Sequence, residues 1–189
     1  MSFDLYCYRS TSVVPSATEA QALIESFNAD EEAGRTRDTI ADVKEKIVSA
    51  LMEYDPRLER FQFDYGKMAK AANISEREAR ARFQHIELNP PEGDLAIQLT
   101  VYDDHVFITI PYWYSGSDAD RVFSQLSGYL EAIRRSVGFF AYDPQTNVAF
   151  DPEQTHFLDH AQYDEVVKDL PKIAAEAAGK PKKRLWRLW

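Results

Sequence analysis

The chain has 189 residues, 44% hydrophobic and 28% charged, with 11 Phe, 10 Tyr and 3 Trp; this is one domain's length with ample core material, and it excludes a disordered or low-complexity polymer. A single cysteine, Cys7, excludes an internal disulfide and any multi-cysteine zinc site, and no apolar run reaches the length that spans a bilayer. The formal charge of −9 comes from 17 Lys and Arg against 31 Asp and Glu over residues 1–179, with five more bases (Lys180, Lys182, Lys183, Arg184 and Arg187) in the last ten residues; such a body repels phosphate backbones and anionic membranes and attracts cationic surfaces.

Residues 3–9 alternate as a strand, with Phe3, Leu5 and Cys7 on one face and Asp4, Tyr6 and Tyr8 on the other. Ser16 with Glu19 reads as a capping box opening a helix that carries Ala20, Leu23, Ile24 and Phe27 on one side. A second helix is predicted over 39–54, where Ile40, Val43, Ile47, Val48, Leu51 and Met52 recur at helical spacing until Asp55-Pro56 stops them. Phe61, Phe63 and Tyr65 predict a short strand, and 67–73 and 75–83 two short helices, the second capped by Ser75 and Glu78. Strands follow at 84–89, 95–102 and 105–112, the last two joined by a tight hairpin at Asp103-Asp104. The hairpin alternates strongly, so a sheet with one principal buried side is expected.

Ser117 is read as the cap of a long helix to about Val137, with Asp118 and Asp120 at its positive end and Gly138 as its stop. A second hairpin is predicted over 139–150 and a last helix over 163–178, kinked or split by Pro171. Helices flank the strands rather than alternate with them. The expected class is therefore α+β, an antiparallel sheet built from hairpins and flanked by amphipathic helices. One domain over 1–179 and a basic tail with Trp186 and Trp189 over 180–189 are expected.

No motif names a reaction: phosphate loop, nucleophile elbow and kinase signature are all missing. His156 and His160 have the spacing of a helical metal pair, but Phe157 stands where a metalloprotease helix carries Glu, so surface or capping histidines are expected. Cys7 in a strand is expected to be a buried small hydrophobe. Residues 66–83 resemble a helix-turn-helix, with Lys67, Lys70, Arg77, Arg80 and Arg82 as the body's only basic cluster; a DNA-binding regulator is the alternative reading, opposed by Glu76, Glu78 and the overall negative charge. Pro111-Tyr112-Trp113-Tyr114 places three aromatics in a row. They cannot all enter one core, so at least one is expected at the surface beside acids, either as an anchor for a basic protein or as a cover over the end of the sheet.

The opening residues 1–6, the stretch 97–114 ending in Pro-Tyr-Trp-Tyr, and Tyr142-Asp143-Pro144-Gln145-Thr146 resemble small bacterial proteins of the immunity type, encoded beside polymorphic or type VI-secreted toxins. The resemblance implies a single-domain stoichiometric inhibitor that occludes its toxin. The charge agrees independently, because an acidic inhibitor is steered onto a basic cleft. The sequence reading is thus a non-enzymatic acidic binding protein with a basic protein partner, probing neither nucleic acid nor membrane and using no cofactor or metal. The partner surface is expected at Asp103, Asp104, Tyr112, Trp113, Tyr114, Asp118 and Asp120. The opening Met1-Ser2-Phe3-Asp4-Leu5 has neither a basic start nor a long apolar stretch, so no leader is expected and the expected location is cytoplasmic.

Overall fold

The computed structural model describes residues 2–32, 42–154 and 163–169. Among them, seven strands form one antiparallel sheet: β1 (Ser2–Tyr8), β2 (Glu59–Arg60), β3 (Ile86–Asn89), β4 (Gln98–Val101), β5 (His105–Pro111), β6 (Phe140–Asp143) and β7 (Val148–Phe150), in the order β2-β3-β4-β5-β1-β6-β7. The helices are α1 (Ala17–Glu32), α2 (Val43–Tyr54), α3 (Tyr65–Ala72), α4 (Glu76–Arg82), α5 (Ser117–Val137) and a helical segment α6 over 163–169. The class is α+β, an antiparallel sheet flanked by helices.

The first strand of the chain lies inside the sheet. It pairs with β5 on one side and β6 on the other, antiparallel to both, so β5 and β6 run parallel with β1 between them. Parallel strands cannot be joined by a tight turn, and α5 supplies the crossover. The hairpins β4–β5 and β6–β7 are therefore two separate units sewn together by β1.

Cross-strand register puts Ile86, Val101, Val106, Cys7, Ala141 and Phe150 in one row across six strands. This face closes against Ile47, Val48 and Leu51 of α2 and Val122, Leu126, Tyr129, Leu130 and Ile133 of α5, all essentially without solvent exposure. The stripes of α2 and α5 follow the helical period, so each turns one side to the sheet.

The opposite face is buried too, over part of its width. Ala20, Ile24 and Phe27 of α1 pack on Tyr8, Phe140 and Tyr142 as a second, smaller core. One side is thus the principal buried one, as expected, and the other is buried in part: α1 covers the β1–β6 half, while Gln98, Thr100 and Thr109 of β4 and β5 keep partial or full exposure.

Several predicted boundaries shift for identifiable reasons. Ser16 does cap α1, accepting from Glu19 N at 3.4 Å. Its own N–H donates to Tyr8 Oη, so the Glu19 carboxylate is released to Ser10 Oγ and to the N–H and hydroxyl of Thr11. Ser117 is not the cap of α5. Gly116 holds that position with φ 55° and ψ −132°, and Ser117 is the first helical residue. The strand expected through Phe61, Phe63 and Tyr65 ends at Arg60. Beyond it the three rings turn onto one another and His85, and Asp64 caps α3 by accepting from Lys67 N at 3.0 Å. Leu95 to Ile97 leave the ladder because Ile97 N bonds back to Leu95 O at 2.9 Å, a three-residue turn. The first residues of the predicted second helix, Pro171, His156, His160 and the basic tail lie outside the described residues.

Candidate functional site

Tyr112, Trp113 and Tyr114 take three different directions, and Tyr163 of α6 decides which. Its hydroxyl donates to Pro111 O at 2.6 Å and accepts from Tyr114 N at 3.1 Å, bracketing the segment. Tyr112 turns inward, stacked on Tyr163 at 5.0 Å and edge-on to Phe3 at 6.4 Å. Burial pushes its phenol up, and the charges of Asp4 and Asp143 add to the shift. Tyr114 lies along the surface with its hydroxyl accepting from Ala96 N at 2.5 Å. Trp113, the residue between them, is left 68% exposed.

The chain then passes through Gly116 into α5. Asp118 and Asp120 are exposed in its first turn, where the N-terminal peptide dipoles favour negative charge. Asp118 reaches Arg121 at 3.3 Å, both side chains about 60% exposed, a pairing that solvent makes weak. An exposed indole and two exposed acids thus share one end of the sheet.

Asp103 and Asp104 are at the other end. They form the turn between β4 and β5, closed by Tyr102 N to His105 O at 3.0 Å. The seven residues of β5 separate this turn from Trp113, roughly 25 Å of extended chain. Neither acid stands as a free surface charge. Asp103 pairs with Lys44 of α2 at 3.3 Å, with side chains 19% and 16% exposed. Asp104 meets His105 Nδ1 at 2.7 Å. His105 is sandwiched between Phe27 of α1 at 4.0 Å and Tyr102 at 4.2 Å, both nearly parallel to it. This corrects the expected adjacency: the hairpin tip ties elements together and does not extend the Trp113 surface.

The pair α3–α4 has the short-turn geometry expected. Asn73 takes the left-handed conformation and Ser75 with Glu78 forms a complete capping box. Its basic cluster is partly engaged: Lys67 with Asp64 at 3.2 Å, Arg80 with Glu76 at 2.7 Å and over the Tyr65 ring. Cys7 is fully buried, and burial pushes its thiol far up, the opposite of what a nucleophile needs. Among the described residues no three His, Cys, Asp or Glu side chains converge as a metal site, and no helix is long and apolar enough to cross a membrane.

Sequence reading missed two concavities on the half-covered face. One, about 410 Å³, lies between the Pro90–Ala96 loop and Ser2, Gln98, Thr109 and Pro111 of β1, β4 and β5. The other, about 460 Å³, lies between α1 and the β1–β6 edge. Asp4 in the second was visible as a charge on a strand otherwise rich in apolar residues, but nothing local revealed that α1 would wall it. No protein-family model, curated protein or solved structure matches the chain.

Proposed function

We propose that the chain is a stoichiometric binding protein that occludes a cationic protein surface, in the manner of an immunity protein facing a secreted bacterial toxin. The observation that carries this reading is Trp113. It is a large apolar ring at 68% exposure, on a backbone fixed on both sides by Tyr163. A ring carried on a backbone so held loses less freedom on binding than one on a mobile loop, which suits an interface anchor. Asp118 and Asp120 beside it supply an acidic rim, and the net charge of −9 supplies long-range attraction. The reading involves no catalysis.

The test is retrieval of partners by the tagged full-length chain from the cells that make it, followed by stopped-flow binding of the purified partner. The expected result is a 1:1 complex with a basic protein. Trp113→Ala should weaken it about tenfold or more, and Asp118→Lys with Asp120→Lys should slow association several-fold at low salt with little change in dissociation. Capture unchanged by all three substitutions removes this surface from the proposal. Retention of DNA in a low-salt gel shift, lost on substituting Arg77 and Lys70, replaces it with the regulator built on α3–α4.

A further inference from the structure

We infer that the pocket between α1 and the β1–β6 edge is a guanidinium site, filled by an arginine side chain of the cationic partner; this rests on the binding reading above and names the group that the reading leaves open. The pocket holds about 460 Å³, and among its walls are Asp4 and Tyr6 of β1, Ile24 and Glu25 of α1, Tyr142 of β6 and Asn147. Tyr6 and Tyr142 are direct register partners on its floor strands, and the Tyr6 ring packs on Phe107 at 4.9 Å.

Asp4 is the key group. Its side chain is partly buried in the wall; Oδ1 is closed off by the fold without a hydrogen-bond partner, so a ligand would meet the other oxygen, and the carboxylate takes no ion pair from the described residues. A partly buried carboxylate with no cation against it is less favourable than one that a cation has met. Among the described residues, Glu25 at the rim is met only by the neutral amide of Gln21 at 3.2 Å. Tyr142 has already committed its hydroxyl proton to Asn147 Oδ1 at 2.9 Å, and the charges of Asp143 and Glu25 bear on it. Two carboxylates, two rings and an apolar wall from Ile24 match an organic cation on an aliphatic stem. They do not match a metal ion, for which no three ligands converge among the described residues. Guanidinium suits the site better than ammonium, because its planar fork of donors satisfies a carboxylate and lies against rings at once.

The pocket adjoins the proposed interface. Asp4 is the register partner of Thr109, and Thr109 and Pro111 line the neighbouring concavity that ends two residues short of Trp113.

The test is an amide-resolved NMR titration of the full chain with N-acetyl-arginine amide, N-acetyl-lysine amide and the neutral isostere N-acetyl-citrulline amide. The expected result is saturable shifts at Asp4, Tyr6, Glu25 and Asn147 with the arginine probe, at least tenfold weaker binding in Asp4→Asn, weaker binding in Glu25→Gln, and no change in Trp113→Ala. Glu25 is exposed, so its variant carries the test if Asp4→Asn does not fold. Equal shifts from citrulline, lysine equal to arginine, or both carboxylate variants unchanged overturns the assignment. If the titration fails while Trp113-dependent capture persists, the pocket assignment falls and the binding reading stands. If the pocket saturates but no protein is captured, its assignment to a partner's arginine falls.

Discussion

Asp55 closes α2 at 3% exposure, where a carboxylate is tolerable only if its oxygens are engaged. They are. Arg57 forks onto them through Nε and Nη2 at 2.9 Å each, Gln125 Nε2 donates at 3.0 Å and Tyr129 Oη at 2.9 Å. Burial pushes the carboxyl up, and the bonds from Arg57 and Tyr129 outweigh it, holding the group below its ordinary value. The acid thus joins the end of α2 to the middle of α5 through groups 70 and 74 residues away. Asp55→Ala leaves the buried Tyr129 hydroxyl and the Gln125 amide without their acceptor. We expect a loss of about 2–3 kcal/mol in urea unfolding with an unchanged m-value; a loss below about 1 kcal/mol means the bonds re-form elsewhere.

At the scale of elements, the Tyr54 ring of α2 lies directly over Gly128 of α5. A Cβ there would stand 1.9 Å from Tyr54 Oη, and Tyr54 lies edge-on to Tyr129 at 5.6 Å. Tyr54 is 46% exposed and free to swing outward. Gly128→Ala should therefore gain about 1 kcal/mol of helix propensity and lose a ring contact of similar size, for little net change. In a Tyr54→Ala background the same substitution should stabilise by about 1 kcal/mol, a difference that a double-mutant cycle reads directly. Equal effects in both backgrounds would place the close approach elsewhere. The stripes that bring these helices to the sheet were legible in the sequence, because amphipathic period is local. So were the Asp103-Asp104 turn, the Ser75 cap and the Gly138 stop. The placement of β1 between β5 and β6 was not, since strand partners leave no mark within a single strand. The exposure of one ring in Tyr112-Trp113-Tyr114 followed from counting, but which ring depends on Tyr163, 49 residues beyond Tyr114. Asp103 and Asp104 looked like surface charge because Lys44 lies 59 residues before Asp103.

For the whole molecule, acids and phenols bound the pH range of stability from opposite sides. Glu19 is held down by bonds from Ser10 and Thr11, Asp64 by the N–H and ammonium of Lys67, Glu78 by Ser75, and Asp55 as described. Each binds a proton less readily folded than unfolded, so its contribution is present above the ordinary values of 3.8 for Asp and 4.5 for Glu. It is lost as pH falls through the lower folded values. Tyr8, Tyr112, Tyr129, Tyr142 and Tyr163 shift the other way, each raised chiefly by burial above the ordinary 10.0. Their neutral phenols contribute fully below pH 10 and the contribution disappears as pH climbs through the folded values. Unfolded chains ionise their tyrosines first, so alkali draws the equilibrium toward the unfolded state. The net charge of −9 adds self-repulsion on that side. The urea midpoint should therefore be flat from about pH 6 to 9 and fall below about pH 4.5 and above about pH 10. Tyrosinate absorbance at 295 nm should rise in step with unfolding on the alkaline limb, because the buried phenols ionise when the core opens. Full ionisation of all ten tyrosines near pH 10, with the far-UV circular dichroism still native, would contradict the burial on which that limb rests.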